Sequence, residues 1–116
     1  MPVPNRVVLS GSTDGLPIPV VATATAGTTI HTAGAAGYDI LYIFASNVTA
    51  AVATLTLEWG GATDPGNHMV KAYSIPANSA PIPIAPGAML KNSKVLKAFS
   101  GTASAINITG FAIQVV

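Results

Sequence analysis

Two histidines, His31 and His68, are the only imidazoles in the chain, and cysteine is absent. Nucleophilic catalysis needs a nucleophile, a base and an orienting group. No nucleophile-elbow pattern accompanies either histidine. His31 falls in a run read as a strand, Thr28 to Thr32, where a hydrogen-bonded structural role suffices. His68 follows the loop from Gly60 to Asn67, with Asp64 four residues before it. That pair offers one oxygen and one nitrogen, an incomplete set for a metal, and Asp64-Pro65-Gly66 is sufficiently explained as a turn. The four acids, Asp14, Asp39, Glu58 and Asp64, are scattered, so no carboxylate pair for glycoside hydrolysis is visible. Gly60-Gly61 precedes a turn and a strand, without the helix N-terminus that lets a glycine loop hold phosphate.

Lys91, Lys94 and Lys97 form one basic cluster. A nucleic-acid surface needs more positive charge and aromatic stacking platforms, so a solvated loop or contact with an acidic neighbour is the better reading. Asn47-Val48-Thr49 and Asn107-Ile108-Thr109 match the glycosylation pattern by chance in a Thr-rich chain without a secretion signal. The expectation is a protein that is not an enzyme, with no catalytic residues, metal or cofactor.

The elements that would carry these residues are short strands. No segment sustains apolar residues at helical spacing without Gly, Pro or a β-branched run. Strands are predicted at Arg6 to Leu9, Ile18 to Thr25, Thr28 to Thr32, Ile40 to Ala45, Val52 to Trp59, Met69 to Ile75, Lys94 to Phe99 and Ala105 to Val115. Turn clusters separate them, among them Gly34 to Gly37, Gly60 to Gly66 and Pro86-Gly87. This spacing predicts an all-β fold, a β-sandwich or jelly-roll-like barrel of short, mostly antiparallel strands. Residues 1–5 are expected to form an extended arm, and residues 6–116 a single domain.

In Val52 to Trp59, Ala53, Leu55, Leu57 and Trp59 point one way, toward a core, while Thr54, Thr56 and Glu58 point to a wet or intersubunit face. Ile40, Tyr42 and Phe44 oppose Leu41, Ile43 and Ala45, so that strand is apolar on both faces and is either central or covered by another subunit. Apolar parity in the last strand passes from Ile106 and Ile108 to Phe111, Ile113 and Val115, which predicts a bulge or bend at Gly110. Leu16-Pro17-Ile18-Pro19-Val20 and Ala80-Pro81-Ile82-Pro83-Ile84 read either as edge strands that proline protects from strand addition or as extended loops.

At 116 residues the chain is long enough to bury a core without staples. Only 8% of residues are charged, the net charge is +1, and half are apolar. Soluble domains carry about 25% charged residues. So sparse a charge leaves exposed apolar surface free to associate, which burial in an assembly explains. Near-zero net charge argues against nucleic acid or an anionic membrane as partner. Ile40 to Leu57 contains no charged residue and is long enough to span a bilayer, but Ser46-Asn47 and period-two alternation make it a pair of strands rather than a spanning helix. Seven aromatic residues cannot furnish the girdles of an outer-membrane barrel. The start of the chain lacks the apolar core of a signal peptide, which predicts that the protein stays in the cytoplasm where it is made.

Three segments carry a resemblance: Asn5 to Ser12, Gly27 to Thr32, and Thr54-Leu55-Thr56-Leu57-Glu58-Trp59-Gly60-Gly61 followed by Asp64. They resemble small proteins found among the head genes of tailed phages, the capsid decoration or cement proteins. The resemblance implies a β-sandwich on the exterior of the virion head, commonly a trimer, that contacts the major capsid protein and stabilises capsomers. It implies no catalytic residues. The candidate assembly residues are Pro2, Val3 and Pro4 of the arm, Ile40, Tyr42 and Phe44 of the doubly apolar strand, and Trp59, His68 and Met69 around the long loop. The alternatives are a tail or fibre carbohydrate-binding module, with Trp59 and Tyr73 as stacking platforms, or a neck or tail-tube component.

Overall fold

The computed structural model describes residues 4–61, 63 and 66–115, with the backbone alone at Pro4. Among the described residues nine strands occur in chain order: β1 (Pro4–Val8), β2 (Ile18–Pro19), β3 (Thr28–Thr32), β4 (Tyr38–Asn47), β5 (Ala53–Trp59), β6 (His68–Ile75), β7 (Ile82–Leu90), β8 (Val95–Ser100) and β9 (Ile106–Val115). Among the described residues no helix is long and apolar enough to cross a membrane.

One sheet has the order β1-β9-β4-β7, with β2 also pairing β9, and the other has the order β3-β8-β5-β6. Every pairing is antiparallel. With two-residue β2 set aside, β1 pairs β9, β3 pairs β8, β4 pairs β7 and β5 pairs β6. These nested pairs, folded over so that successive ones alternate between sheets, are the topology of a jelly roll. The all-β sandwich expected from turn spacing is therefore the observed fold.

Period-two alternation builds the core. On β4, Leu41, Ile43 and Ala45 are fully buried and join Leu55 and Leu57 of β5 and Ile108 of β9 in one apolar cluster. Truncating one such Leu or Ile to Ala costs about 2–5 kcal/mol. β4 lies between β9 and β7, so its two apolar faces belong to a central strand.

Four local expectations need correction. The strand expected over Ile18 to Thr25 stops at Pro19, because the Val21 and Ala22 amides donate to the Thr28 hydroxyl (both 3.2 Å) and turn the chain away. Pro86-Gly87, expected as a turn, lies inside β7, where register shifts against β4 and a positive φ of 89° at Gly87 absorb the irregularity. Gly110 is not a bulge, since β9 runs against β4 in unbroken register. It is a close approach: a Cβ there would lie 1.9 Å from the Tyr42 carbonyl oxygen, at a φ of 147°. The parity change arose because small Gly110 and Ala112 take the inward positions while the outward face turns apolar. Finally, β1 starts at Pro4, so Pro4 and Asn5 pair with Val115 and Gln114 instead of extending the arm. Pro2 and Val3 lie outside the described residues.

The proline segments do mark edges. β7, with Pro83 and Pro86, ends one side of its sheet, and β2 pairs only at Ile108 and Asn107 of β9. Proline removes amide donors there, which discourages further strand addition.

Candidate assembly face

The antiparallel register sets residues of β1, β9, β4 and β7 side by side in rows on the outward face of the first sheet. One row is Val8, Phe111, Tyr42 and Pro86; the next is Arg6, Ile113, Ile40 and Met89. Thr109, Phe44 and Pro83 form a third. Arg6 carries the single formal charge in these rows. Tyr42 and Phe111 stack with ring centroids 4.9 Å apart and planes 21° from parallel. The Arg6 guanidinium lies over the other flank of Phe111, 5.0 Å from the ring centroid, a cation–π arrangement. Ile40, Phe44 and Ile113 are half-buried by their neighbours within the sheet. Val8 (49%) and Met89 (59%) are open to solvent at the two sides of the face.

The outward face of the second sheet differs. Thr56 and Glu58 point away from the core as expected, yet they are 3% and 1% exposed and so are not a wet face. The connector between β2 and β3 reaches over Glu58, and the irregular stretch of β6 at Ala72 reaches over Thr56. Glu58 accepts hydrogen bonds from the Gly27 amide (2.7 Å) and the Thr25 hydroxyl, and the Ser100 amide donates to the Ala22 carbonyl (3.1 Å). Gly27 must be glycine, since a Cβ there would lie 2.5 Å from the Ala98 carbonyl oxygen. Thr56 accepts from the Ala72 amide through its hydroxyl (2.9 Å). Buried polar groups require such partners. Glu58 thus lies under the chain's own connector, while the apolar rows have no segment laid over them among the described residues.

Of the candidate residues, the structure brings together Ile40, Tyr42 and Phe44. Trp59 is elsewhere: its side chain packs against the core, and its indole N–H donates to the Met89 carbonyl (3.2 Å). His68 and Met69 start β6, the edge of the second sheet, where the His68 ring meets Phe99 edge-on at 6.1 Å. Tyr73 lines a hollow of about 190 Å³ with Val70, Pro83 and Ile84, between edge strands β6 and β7. The reading missed Arg6, Phe111, Ile113 and Met89. The signal for Phe111 and Ile113 was present as the odd-position apolar run.

One polar constellation was also missed. Ser10, His31 and Asp39 converge, with His31 Nε2 2.6 Å from Asp39 Oδ2 and both side chains 2% exposed. The Ser10 amide donates to His31 Nδ1 (3.0 Å), so Nε2 carries the proton and donates to Asp39. Asp39 also accepts from Gln114 Nε2 (3.3 Å) and the Gly34 amide (3.5 Å). The Ser10 hydroxyl accepts from the Thr32 amide (2.7 Å). The imidazole has no free lone pair for a serine proton, so these residues clamp β3 to β4 and β9 in place of forming a nucleophilic triad.

The Asp64–His68 metal pair cannot be assembled here, since Asp64 lies outside the described residues; among the described residues no group of three or more His, Cys, Asp or Glu side chains could hold a metal. Lys94 and Lys97 line a shallow hollow of about 210 Å³ with Gly60, Gly61, Ser93 and Val95. Asn47 of the first glycosylation-like triplet is 1% exposed; its amide donates to the Ala51 and Ile75 carbonyls (2.8 and 3.1 Å), which leaves no accessible acceptor nitrogen. Comparisons with protein-family models, curated proteins and solved structures find no match.

Proposed function

We propose that this protein is a virion structural subunit, a decoration or cement protein of a tailed-phage head that assembles on the capsid exterior as a homo-oligomer and stabilises contacts between capsomers. The observation that carries the reading is the apolar outward face of the first sheet, crossed by four strands and holding one charge, in a chain with 8% charged residues. Apolar surface of that extent on a small domain marks an interaction site. The jelly-roll topology adds support by analogy, since viral capsid domains use it, as do lectins.

In this reading the subunits associate through apolar surface, and the oligomer spans adjacent capsomers of the major capsid protein by many weak contacts. Linked sites gain avidity of about 10² to 10⁴ over a single contact. In this reading Pro2 and Val3, ahead of β1, add a contact to a neighbour. The glycan-binding alternative has less support, because the Trp59 indole N–H is already held by a main-chain carbonyl.

The test is cosedimentation of the purified protein with undecorated tailed-phage heads, followed by imaging of the particles. Saturable added density on the outer surface is expected, with reduced occupancy after removal of residues 1–3, which leaves β1 intact. Absence of binding to heads, with the protein folded, would remove the decoration role.

A further inference from the structure

The jelly roll offers two routes to self-association, strand addition at sheet edges and stacking of sheet faces, and the edges are blunted. β7 carries Pro83 and Pro86. The opposite edge of that sheet is divided between β1 and two-residue β2. β3 is five residues long with a register shift between Thr29 and His31. β6 has two register shifts against β5 and a positive φ of 49° at Ala72. Short, irregular and proline-bearing edges resist pairing. Of the two faces, that of the second sheet is mostly polar, with Thr54, Thr56, Glu58, Ser74 and Lys97 along it and Glu58 held under the β2–β3 connector. The rows across β1, β9, β4 and β7 are what is left.

We infer that this face binds a second copy of the same face, so that two jelly rolls stack through their β1-β9-β4-β7 sheets about a two-fold axis. The inference rests on the assembly reading above, and it departs from the trimer implied by resemblance. β4 and β9 at ten residues, β7 at nine and β1 at five, with strands about 4.8 Å apart and about 3.4 Å per residue, make a face of roughly 550 Å². Two copies together bury roughly 1,100 Å², just above the roughly 1,000 Å² that a specific interface should clear. A face closed on itself by a two-fold axis is an isologous contact and leaves no apolar remainder to propagate.

Charge points to the same occupant. The rows hold Arg6 and no acid, so a partner of opposite charge would find one cation to pair, and that cation is already seated over Phe111. An axis parallel to the strands sets β1 of one copy over β7 of the other. Arg6 then meets the exposed Met89 row of the partner and not the partner's Arg6. Stacked sheets sit about 10 Å apart, room for Phe44, Tyr42 and Met89 to interdigitate.

The test is the solution mass by light scattering across a concentration series, for the full chain and three variants. Met89→Asp and Val8→Asp alter exposed side chains at the two sides of the face, while Met69→Asp alters an exposed one on β6, outside it. Circular dichroism checks that each variant is folded. The expected result is a dimer for the unaltered chain and Met69→Asp, and a mass halved toward monomer for the other two. A monomer at every concentration, a trimer, or a dimer indifferent to Met89→Asp and Val8→Asp would overturn the pairing. Head cosedimentation on the same samples separates the two ideas. A dimer that ignores heads refutes decoration alone, and a monomer that decorates heads refutes face pairing alone.

Discussion

The Tyr42 and Phe111 rings stack 4.9 Å apart across the β4–β9 ladder, and the next residue back in β9, Gly110, has no room for a Cβ because the Tyr42 carbonyl oxygen occupies that space. One residue of β4 thus constrains β9 twice, through its ring on the outward face and its backbone within the sheet. The aromatic platform is held in register by a glycine that a side chain would displace.

Gly110→Ala is therefore expected to be among the most damaging single substitutions. It combines a φ of 147° with a 1.9 Å approach to main chain, and neither can relax without shifting the central ladder. A loss of about 3 kcal/mol or more is expected, at the upper end of single-site effects. Urea denaturation measures it; a change under about 1 kcal/mol would show that the ladder accommodates a Cβ.

The Tyr42–Phe111 stack should show as coupling and not only as lost area. A double-mutant cycle with Tyr42→Ala and Phe111→Ala is expected to give about 0.5–1.5 kcal/mol of interaction energy. The cycle belongs in a monomeric background such as Met89→Asp, so that association does not enter the balance. Strict additivity would mean that the rings are neighbours without mutual stabilisation.

Asp39→Ala should cost far more than Ser10→Ala. The first leaves the buried His31 Nε2–H and the Gln114 amide without their acceptor, a loss of about 3 kcal/mol or more. The second removes a hydroxyl acceptor at an exposed position, worth about 1 kcal/mol. Equal losses in thermal or urea unfolding would contradict the clamp. Neither variant is expected to alter any esterase activity, because the imidazole does not bind the serine hydroxyl.

Glu58→Ala should release the β2–β3 connector. Gly27 and Thr25 lose their shared acceptor, so hydrogen exchange at the Gly27 amide is expected to quicken, and limited proteolysis to begin between Val21 and Gly27. An unchanged exchange rate at Gly27 would show that the packing of Gly27 over Ala98 is enough to hold the segment.

The same residues separate what was legible in sequence from what was not. Alternation on β4 and β5, turn clusters and the absence of helical periodicity were enough for an all-β sandwich, because side-chain direction in a strand is a local property with period two. The doubly apolar strand was recognisably central or covered, and both proline segments fell at edges. Strand order could not be read, because a ladder such as β4 with β9 joins Asn47 to Ile106 and Tyr38 to Val115 across the whole chain.

For that reason the assembly face was only partly visible. Ile40, Tyr42 and Phe44 announced themselves by alternation, whereas Arg6, Phe111, Ile113 and Met89 join them only through pairing between distant segments. Glu58 shows the same limit in reverse. Its outward direction followed from periodicity, but its burial was decided by a connector more than 30 residues earlier in the chain. The Ser10–His31–Asp39 clamp likewise spans two sheets. Local chemistry, repeated along one chain, determined the direction of each side chain; which surface finally covers it was decided by non-local packing, the one term that no short window of residues contains.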